Sequence, residues 1–182
     1  INPAVVAACA GILRALPTST LVLKAQLLGH AGARASLTAA FAAHGIGAER
    51  IELRPWLPRA ENPLAAYHDI DIALDTFPYN GTTTTFEALW MGVPVVTLRG
   101  ARHAARVGAS ILTHMGRSEW IATDVAGYQQ IALGLATDLG TLAKQRGSLR
   151  SALRASTLCD AAGFARKLEA TYRELLQSQG FG

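Results

Sequence analysis

The sequence predicts an α/β domain built on a parallel sheet of about five strands. Three observations carry that expectation. Short runs of strand character, rich in Leu, Ile and Val, recur at 19–23, 50–53, 70–74 and 93–98, with a shorter one at 120–121. Helical patterns separate these runs, and strands alternating with helices at this spacing make βαβ units. Half of the residues are hydrophobic and 16% are charged, so both faces of such a parallel sheet can be covered.

Asn2-Pro3 reads as an N-cap followed by the first helical position, with apolar residues running on to Leu16. Pro17-Thr18 ends that helix, and the first strand finishes at Lys24. Residues 31–44 are alanine-rich and helical, closed by Gly45 and Gly47. The second strand, 50–53, stops at Pro55, and 56–68 reads as a loop with a short helix. After the third strand comes a helix from Thr84 to Met91, with Gly92 as its stop. The fourth strand follows, then a helix over 101–115, the short strand at Trp120-Ile121, and three amphipathic helices from Val125 onward that should pack on the sheet or on a missing neighbour.

A length of 182 residues predicts one domain, long enough to bury a real core. The net charge is +4, but the basic residues are scattered, the densest groups being Arg99, Arg102 and Arg106, then Arg146, Arg150 and Arg154. Without an aromatic-rich basic stripe, nucleic acid is not the expected partner; a cleft for a phosphorylated small molecule needs only two or three such side chains. Cys9 and Cys159 form no CxxC pair, so neither a disulfide framework nor a zinc site is predicted, and a reducing, cytoplasmic compartment is expected. No apolar run reaches the roughly 18 residues of a membrane-spanning helix, and no signal peptide is visible. The chain opens on Ile1 directly before a helix, without methionine, and reads as a fragment of a longer protein.

In a doubly wound sheet, ligands bind beyond the carboxyl ends of the strands. Four places qualify: Lys24, 56–61, 75–85 and 99–106. The third is the most informative. Asn80-Gly81 predicts a tight turn in which glycine accepts positive φ and lets the backbone approach a ligand. Thr82, Thr83, Thr84 and Thr85 then open a helix, whose free N–H groups and positive dipole end suit an anion. Thr84 and Glu87 also have capping-box spacing, which would finish a helix with no ligand at all. One N-cap suffices for that purpose, and four threonines exceed it. Neither a Walker A loop nor GxGxxG is present.

The run Asp71-Ile72-Ala73-Leu74-Asp75-Thr76-Phe77-Pro78-Tyr79-Asn80-Gly81-Thr82-Thr83-Thr84-Thr85, continued by Glu87-Ala88-Leu89-Trp90-Met91-Gly92-Val93-Pro94-Val95-Val96-Thr97, resembles the signature of the O-linked N-acetylglucosamine transferase family. The SPINDLY-type protein O-fucosyltransferases share much of it, and a weaker resemblance runs from the Asn2-Pro3 helix to Leu175. It implies a Rossmann-like three-layer domain, the C-terminal, nucleotide-sugar-binding half of a GT-B glycosyltransferase. In the family, the threonines matching Thr83 and Thr84 meet the donor diphosphate, and the acidic residue matching Glu87 takes the ribose hydroxyls. The animal enzymes have Asp at the Glu87 position and His at the Thr82 position. Leu57-Pro58-Arg59 matches the nucleotide-base loop, with Arg59 in place of a lysine that reaches the nucleotide. Trp56 offers an aromatic face there, or a core residue. Asn62-Pro63 stands where the family has a uracil-stacking His.

The resemblance further implies an inverting, metal-independent transfer of N-acetylglucosamine from UDP-GlcNAc to Ser or Thr hydroxyls of proteins, with no cofactor. GDP-fucose as donor and a non-catalytic nucleotide-binding module are the alternatives. The family's key Lys falls immediately before the segment matching Ile1; the acceptor-facing N-terminal half and the tetratricopeptide repeats also lie outside this sequence, so the fragment alone is expected to transfer nothing.

The remaining candidates divide. Lys24 ends a strand, where an ammonium would favour phosphate or simply meet solvent. His103 and Arg106 lie three apart, on one face of the expected helix, and match the bacterial and SPINDLY-like pattern. His30, His44, His68 and His114 have no metal-ligand spacing and are read as structural. Asp75, at a strand end before a turn, is expected to accept backbone N–H groups rather than act as a catalytic acid. Phe77 and Tyr79 are read as loop packing.

Overall fold

The computed structural model describes residues 1–55 and 62–178. In chain order these form α1 (Pro3–Ala15), β1 (Leu21–Lys24), α2 (Ala31–Ala42), β2 (Ile51–Arg54), β3 (Ala73–Leu74), α3 (Thr83–Trp90), β4 (Val95–Leu98), α4 (Val107–His114), β5 (Ile121–Ala122), α5 (Val125–Thr137), α6 (Leu139–Ala155) and α7 (Ala161–Ser178), joined by short 3-10 turns. The first helix begins as its sequence requires: Asn2 Oδ1 accepts the Val5 N–H at 3.0 Å, and Pro3 takes the position where a missing N–H costs nothing.

All five strands are parallel, but they form two sheets rather than one. β1 pairs with β2, in register from Leu21 opposite Ile51 to Lys24 opposite Arg54, and the second sheet has the order β3-β4-β5. The third strand is shorter than its apolar run, and the reason is local. The carbonyls of Ile70 and Asp71 accept hydrogen bonds from Arg146 Nη1 of α6 at 2.6 and 3.0 Å, so this stretch is bonded to a guanidinium before it enters the ladder. The fourth strand starts late for a related reason. Val93 N–H closes the end of α3 on Ala88 O at 2.8 Å, past Gly92 at φ +76°, an αL stop that only glycine adopts freely.

The expected helix over 101–115 is broken. A 3-10 turn at His103–Ala105 precedes α4, and Arg106 between them has φ −124° and ψ −6°. Trp120 closes a second 3-10 turn, Ser118–Trp120, ahead of β5.

β4 is the centre of the core, with Val95, Val96 and Thr97 buried beneath α4 and α5. α5 also packs on α1, and α6 on α3. Tyr128 of α5 is fully buried and meets Phe77 edge-on, with ring centroids 5.5 Å apart. α6 turns Leu142, Leu149 and Leu153 inward. α7 differs: Gly163 is its one buried residue, and Phe164, Leu168, Tyr172, Leu175 and Leu176 form an exposed apolar stripe. α5 thus packs on the sheet, at β4 and β5, whereas α6 packs on α3 and α5, and α7 contacts chiefly the 3-10 turn Thr157–Cys159 before it. No helix among the described residues is long and apolar enough to cross a membrane.

Candidate functional site

The site is built where β3 leaves the sheet. Asp75 N–H still pairs with Val96 O at 2.9 Å, and the chain then turns through 76–81. Thr76 Oγ1 donates to Tyr79 O at 2.9 Å and Asn80 Nδ2 to Thr76 O at 3.0 Å, folding the turn on itself. Asn80 N–H donates to Ala104 O at 2.8 Å, which ties this turn to the loop after β4. Asn2 Nδ2 donates to Phe77 O at 2.6 Å and joins the start of α1 to the same turn; the Phe77–Pro78 peptide is cis.

Asp75 does what a carboxylate at a strand end should. Its Oδ1 accepts the Gly81 N–H at 2.7 Å, its Oδ2 accepts the Thr97 hydroxyl at 2.7 Å, and its own carbonyl accepts the Tyr128 hydroxyl at 2.9 Å. Burial pushes the Asp75 carboxyl up to about 6, partly offset by these donors. Gly81 leaves room in this turn and does not have positive φ. A Cβ at Gly81 would collide with Thr84 Oγ1 and stand 3.1 Å from Thr85 Oγ1. The constraint is steric and comes from the helix that follows.

α3 starts at Thr83, one residue before the expected position, with Thr82 as its N-cap residue. Thr82 makes no side-chain cap. Thr85 is buried and its hydroxyl donates back to Gly81 O at 2.9 Å. Thr82, Thr83 and Thr84 are exposed. The capping-box alternative therefore does not form: Thr84 lies inside the helix, and Glu87 is engaged elsewhere. What remains, among the described residues, is a helix N-terminus whose first-turn N–H groups no side chain caps, with three exposed threonines.

Glu87 lies one turn along α3. The Tyr67 hydroxyl stands 3.2 Å from both Glu87 Oε2 and Thr84 O, a shared donation that holds the carboxylate beside the helix start. Tyr67 comes from the 3-10 turn Pro63–Asp69. Burial, and then the Glu87 carboxylate, push its phenol well above the ordinary tyrosine range, so it stays a donor throughout the physiological range. Periodicity gave no sign of this residue, because the contact joins positions 20 apart.

An open cavity of about 500 Å³ adjoins the turn, lined by Asn2, Phe77, Pro78, Arg99, Gly100 and Ala105 among others. It lies at the carboxyl end of β4, where the strand-end rule places ligands. His103 and Arg102 are exposed on the same loop. His103 sits in the 3-10 turn and Arg106 is its C-terminal flank, so they do not share a helix face as the spacing suggested. A larger open cavity, about 700 Å³, lies under the start of α7 around His114, Cys159 and Lys167, away from the strand ends.

The structure thus brings Asn80, Gly81, Thr82, Thr83, Thr84 and Glu87 together and hangs His103 beside them through the Asn80–Ala104 bond. Lys24 ends β1 opposite Arg54, in the other sheet. Trp56, Leu57 and Arg59 lie outside the described residues. Phe77 packs as expected, but Tyr79 is 74% exposed and packs on nothing comparable. Arg146 and Arg150 are structural: Arg150 Nε donates to Trp90 O at 2.6 Å and its guanidinium lies 5.2 Å from the Trp90 ring centroid. Among the described residues no cluster of three or more His, Cys, Asp or Glu side chains could hold a metal ion.

A parallel α/β chain that presents a threonine-rich helix N-terminus without a side-chain cap at its strand ends has the geometry expected of the broad class of phosphate-ligand binders. Comparison with known proteins narrows that class. Residues 1–168 match glycosyl transferase family 41, and the chain belongs to that family. It is 40% identical over 175 residues to a Petunia hybrida protein named "Probable UDP-N-acetylglucosamine--peptide N-acetylglucosaminyltransferase SPINDLY", a match covering 96% of this chain and 19% of that protein. A Caenorhabditis elegans UDP-N-acetylglucosamine--peptide N-acetylglucosaminyltransferase is 37% identical over 99 residues, covering 54% of this chain and 9% of its own length. Among solved structures, a mutant of the Thermobaculum terrenum O-GlcNAc transferase superposes with a TM-score of 0.91 at 45% identity, covering 98% of this chain and 34% of that one. The chain therefore spans about a fifth of the length of the SPINDLY relatives it matches.

Proposed function

We propose that this chain is the donor-binding part of an inverting glycosyltransferase that moves N-acetylglucosamine from UDP-GlcNAc to Ser or Thr hydroxyls of proteins. In this reading it is a single Rossmann-like domain, the C-terminal half of a GT-B enzyme, and its partners are the nucleotide sugar, the N-terminal half of the same longer chain and, through that half, an acceptor protein. The observation that carries the reading is the start of α3: exposed Thr82, Thr83 and Thr84 with no side-chain cap at the N-terminus. Membership of family 41 and the names of its relatives support the choice of donor.

The chemistry follows from where charge develops. The acceptor hydroxyl oxygen attacks the anomeric carbon and gives its proton up to water, the bond from that carbon to the diphosphate oxygen breaks, and the electron pair leaves with UDP. Negative charge accumulates on the leaving diphosphate, so preorganised donors there lower the barrier. The first-turn N–H groups and hydroxyls of α3 supply such donors without reorganisation, aided by the positive end of the helix dipole. Glu87, held by Tyr67, is placed to accept the ribose hydroxyls one turn further along, and Asn80 and Gly81 line the approach. Arg59, Leu57, Lys24 and His103 complete the proposed binding set.

Titration of the full-length protein with UDP and with GDP tests this. Tighter binding of UDP, with transfer of the sugar from UDP-GlcNAc to a Ser or Thr peptide, is the expected result. Preference for GDP would instead assign a fucosyl donor, in line with the resemblance to the SPINDLY-type fucosyltransferases. Binding of neither would overturn the donor-site reading.

A further inference from the structure

We propose that Asp75 is the positioning residue of donor binding: from behind the turn, its carboxylate fixes Gly81 and so aims the start of α3 at the diphosphate without touching it. This inference rests on the donor-site reading of α3 given above. Its basis is a bond network that converges from three directions. Oδ1 takes the Gly81 N–H at 2.7 Å, immediately ahead of the N-cap residue Thr82. Oδ2 takes the Thr97 hydroxyl at 2.7 Å, from the central strand β4. The Asp75 carbonyl takes the Tyr128 hydroxyl at 2.9 Å, from α5. The turn that begins α3 is thus anchored to the buried core through one residue, by both carboxylate oxygens and the backbone carbonyl of Asp75.

Packing around the carboxylate leaves it no freedom. Gly108, in the first turn of α4, lies so close that an added Cβ would collide with Thr97 Oγ1 and stand 2.6 Å from Asp75 Oδ2. On the other side, Gly81 is pressed against Thr84 and Thr85. Two glycines in two helix starts are therefore shaped around this one group. Asp75 is 8% exposed, and its described partners are neutral donors. The titratable groups facing it are Tyr128 on α5 and, beyond that ring, Cys9 on α1, both pushed upward by burial and so uncharged at neutral pH. A buried carboxylate with no cation is costly, and a simple turn could be closed by an Asn or a hydroxyl instead. Asp fits because one oxygen accepts from the turn while the other accepts from β4.

The function of the network is to fix a direction. A helix N-terminus binds an anion only if its first N–H groups point at a common spot. Releasing the Gly81 N–H would let the residues before Thr83 rotate and scatter those donors.

The test compares UDP with uridine on the full-length protein, because only UDP carries the diphosphate. Asp75→Ala is expected to weaken UDP by about tenfold or more, as loss of a charge-assisted anchor implies, with uridine affinity essentially unchanged. Asp75→Asn keeps an oxygen toward Gly81 and should retain UDP affinity far better than the alanine variant. If Asp75→Ala does not fold, Thr97→Val, of the same shape and lacking the second anchor, should show the same selective loss of UDP. Wild-type UDP affinity in the alanine variant, or equal losses of UDP and uridine, would overturn the inference. Failure of the donor-site reading itself is distinguishable: Thr83→Ala/Thr84→Ala would then also leave UDP binding unchanged, whereas an effect there with none at Asp75 rejects only the positioning role.

Discussion

Replacing Thr83 and Thr84 together by alanine separates ligand binding from helix capping, because neither hydroxyl makes a described bond within the fold. Thr82 is the N-cap residue and caps nothing, and the one threonine hydroxyl that does bond internally is that of Thr85, on Gly81 O at 2.9 Å. Both substituted side chains are exposed, so their removal buries no cavity and leaves no orphaned donor. Alanine is the better helix former by a few tenths of a kcal/mol at each position, so stability should be unchanged or slightly raised. Donor affinity should fall. Losing the two hydroxyls' bonds to a charged phosphate is expected to cost about 1–3 kcal/mol in total, which is about a 5- to 150-fold rise in Kd. Isothermal titration of the full-length variant with UDP measures the affinity, and a urea melt measures the stability. Unchanged UDP affinity in a stably folded variant would refute the reasoning. So would a loss of affinity matched by a loss of stability, since that is the behaviour of a cap and not of a ligand contact.

Three further outcomes follow from the same contacts. Gly108→Ala should destabilise the protein by about 1–2 kcal/mol despite the better helix propensity of alanine, because its methyl group meets the buried Thr97–Asp75 pair; a urea midpoint at or above the parent's would contradict this. Tyr67→Phe removes the donor to Glu87 and should raise the KM for the sugar donor several-fold, on the scale of about 1 kcal/mol for one partly exposed hydrogen bond, with kcat little changed; equal KM values would show that Glu87 needs no such support. The third concerns pH. The Asp75 carboxyl is raised to about 6 in the folded protein from an ordinary 3.8, so between these values the folded state holds a proton that the unfolded state has lost. Stability therefore falls as pH rises from about 4 to about 6 and is level beyond, by an amount on the order of 3 kcal/mol. Thermal melts across that window should show the slope in the parent and a flatter profile in Asp75→Asn; superimposable slopes would assign the dependence to another group.

Much of this protein was legible along the chain. The chain order and parallel direction of the five strands followed from strand-like runs separated by helical patterns, because a helical crossover between neighbouring strands makes them parallel. The Asn2-Pro3 helix start and the Gly92 stop were readable because caps act within four residues. The threonine cluster and the bonding role of Asp75 were readable for the same reason: each depends on its neighbours in sequence. Where expectation failed, a contact or a backbone turn that periodicity does not record had intervened. Arg146 captures the carbonyls of Ile70 and Asp71 from 76 and 75 positions away and trims β3 to two residues. Arg106 breaks a helix that periodicity ran through. Positive φ was expected at Gly81, but the requirement there is room for Thr84 and Thr85.

By itself, then, the sequence determined the class of fold, the family, and the segment that carries the candidate site, since each is encoded in local patterns of hydrophobicity, capping and motif. The tertiary structure decided the rest. It split the strands between two sheets, set Tyr67 against Glu87 across 20 residues, and joined Asp75 to Thr97 and Tyr128 across 22 and 53. Those contacts follow from how the helices close over β4, and side chains that meet only through packing leave no periodicity in the chain to be read.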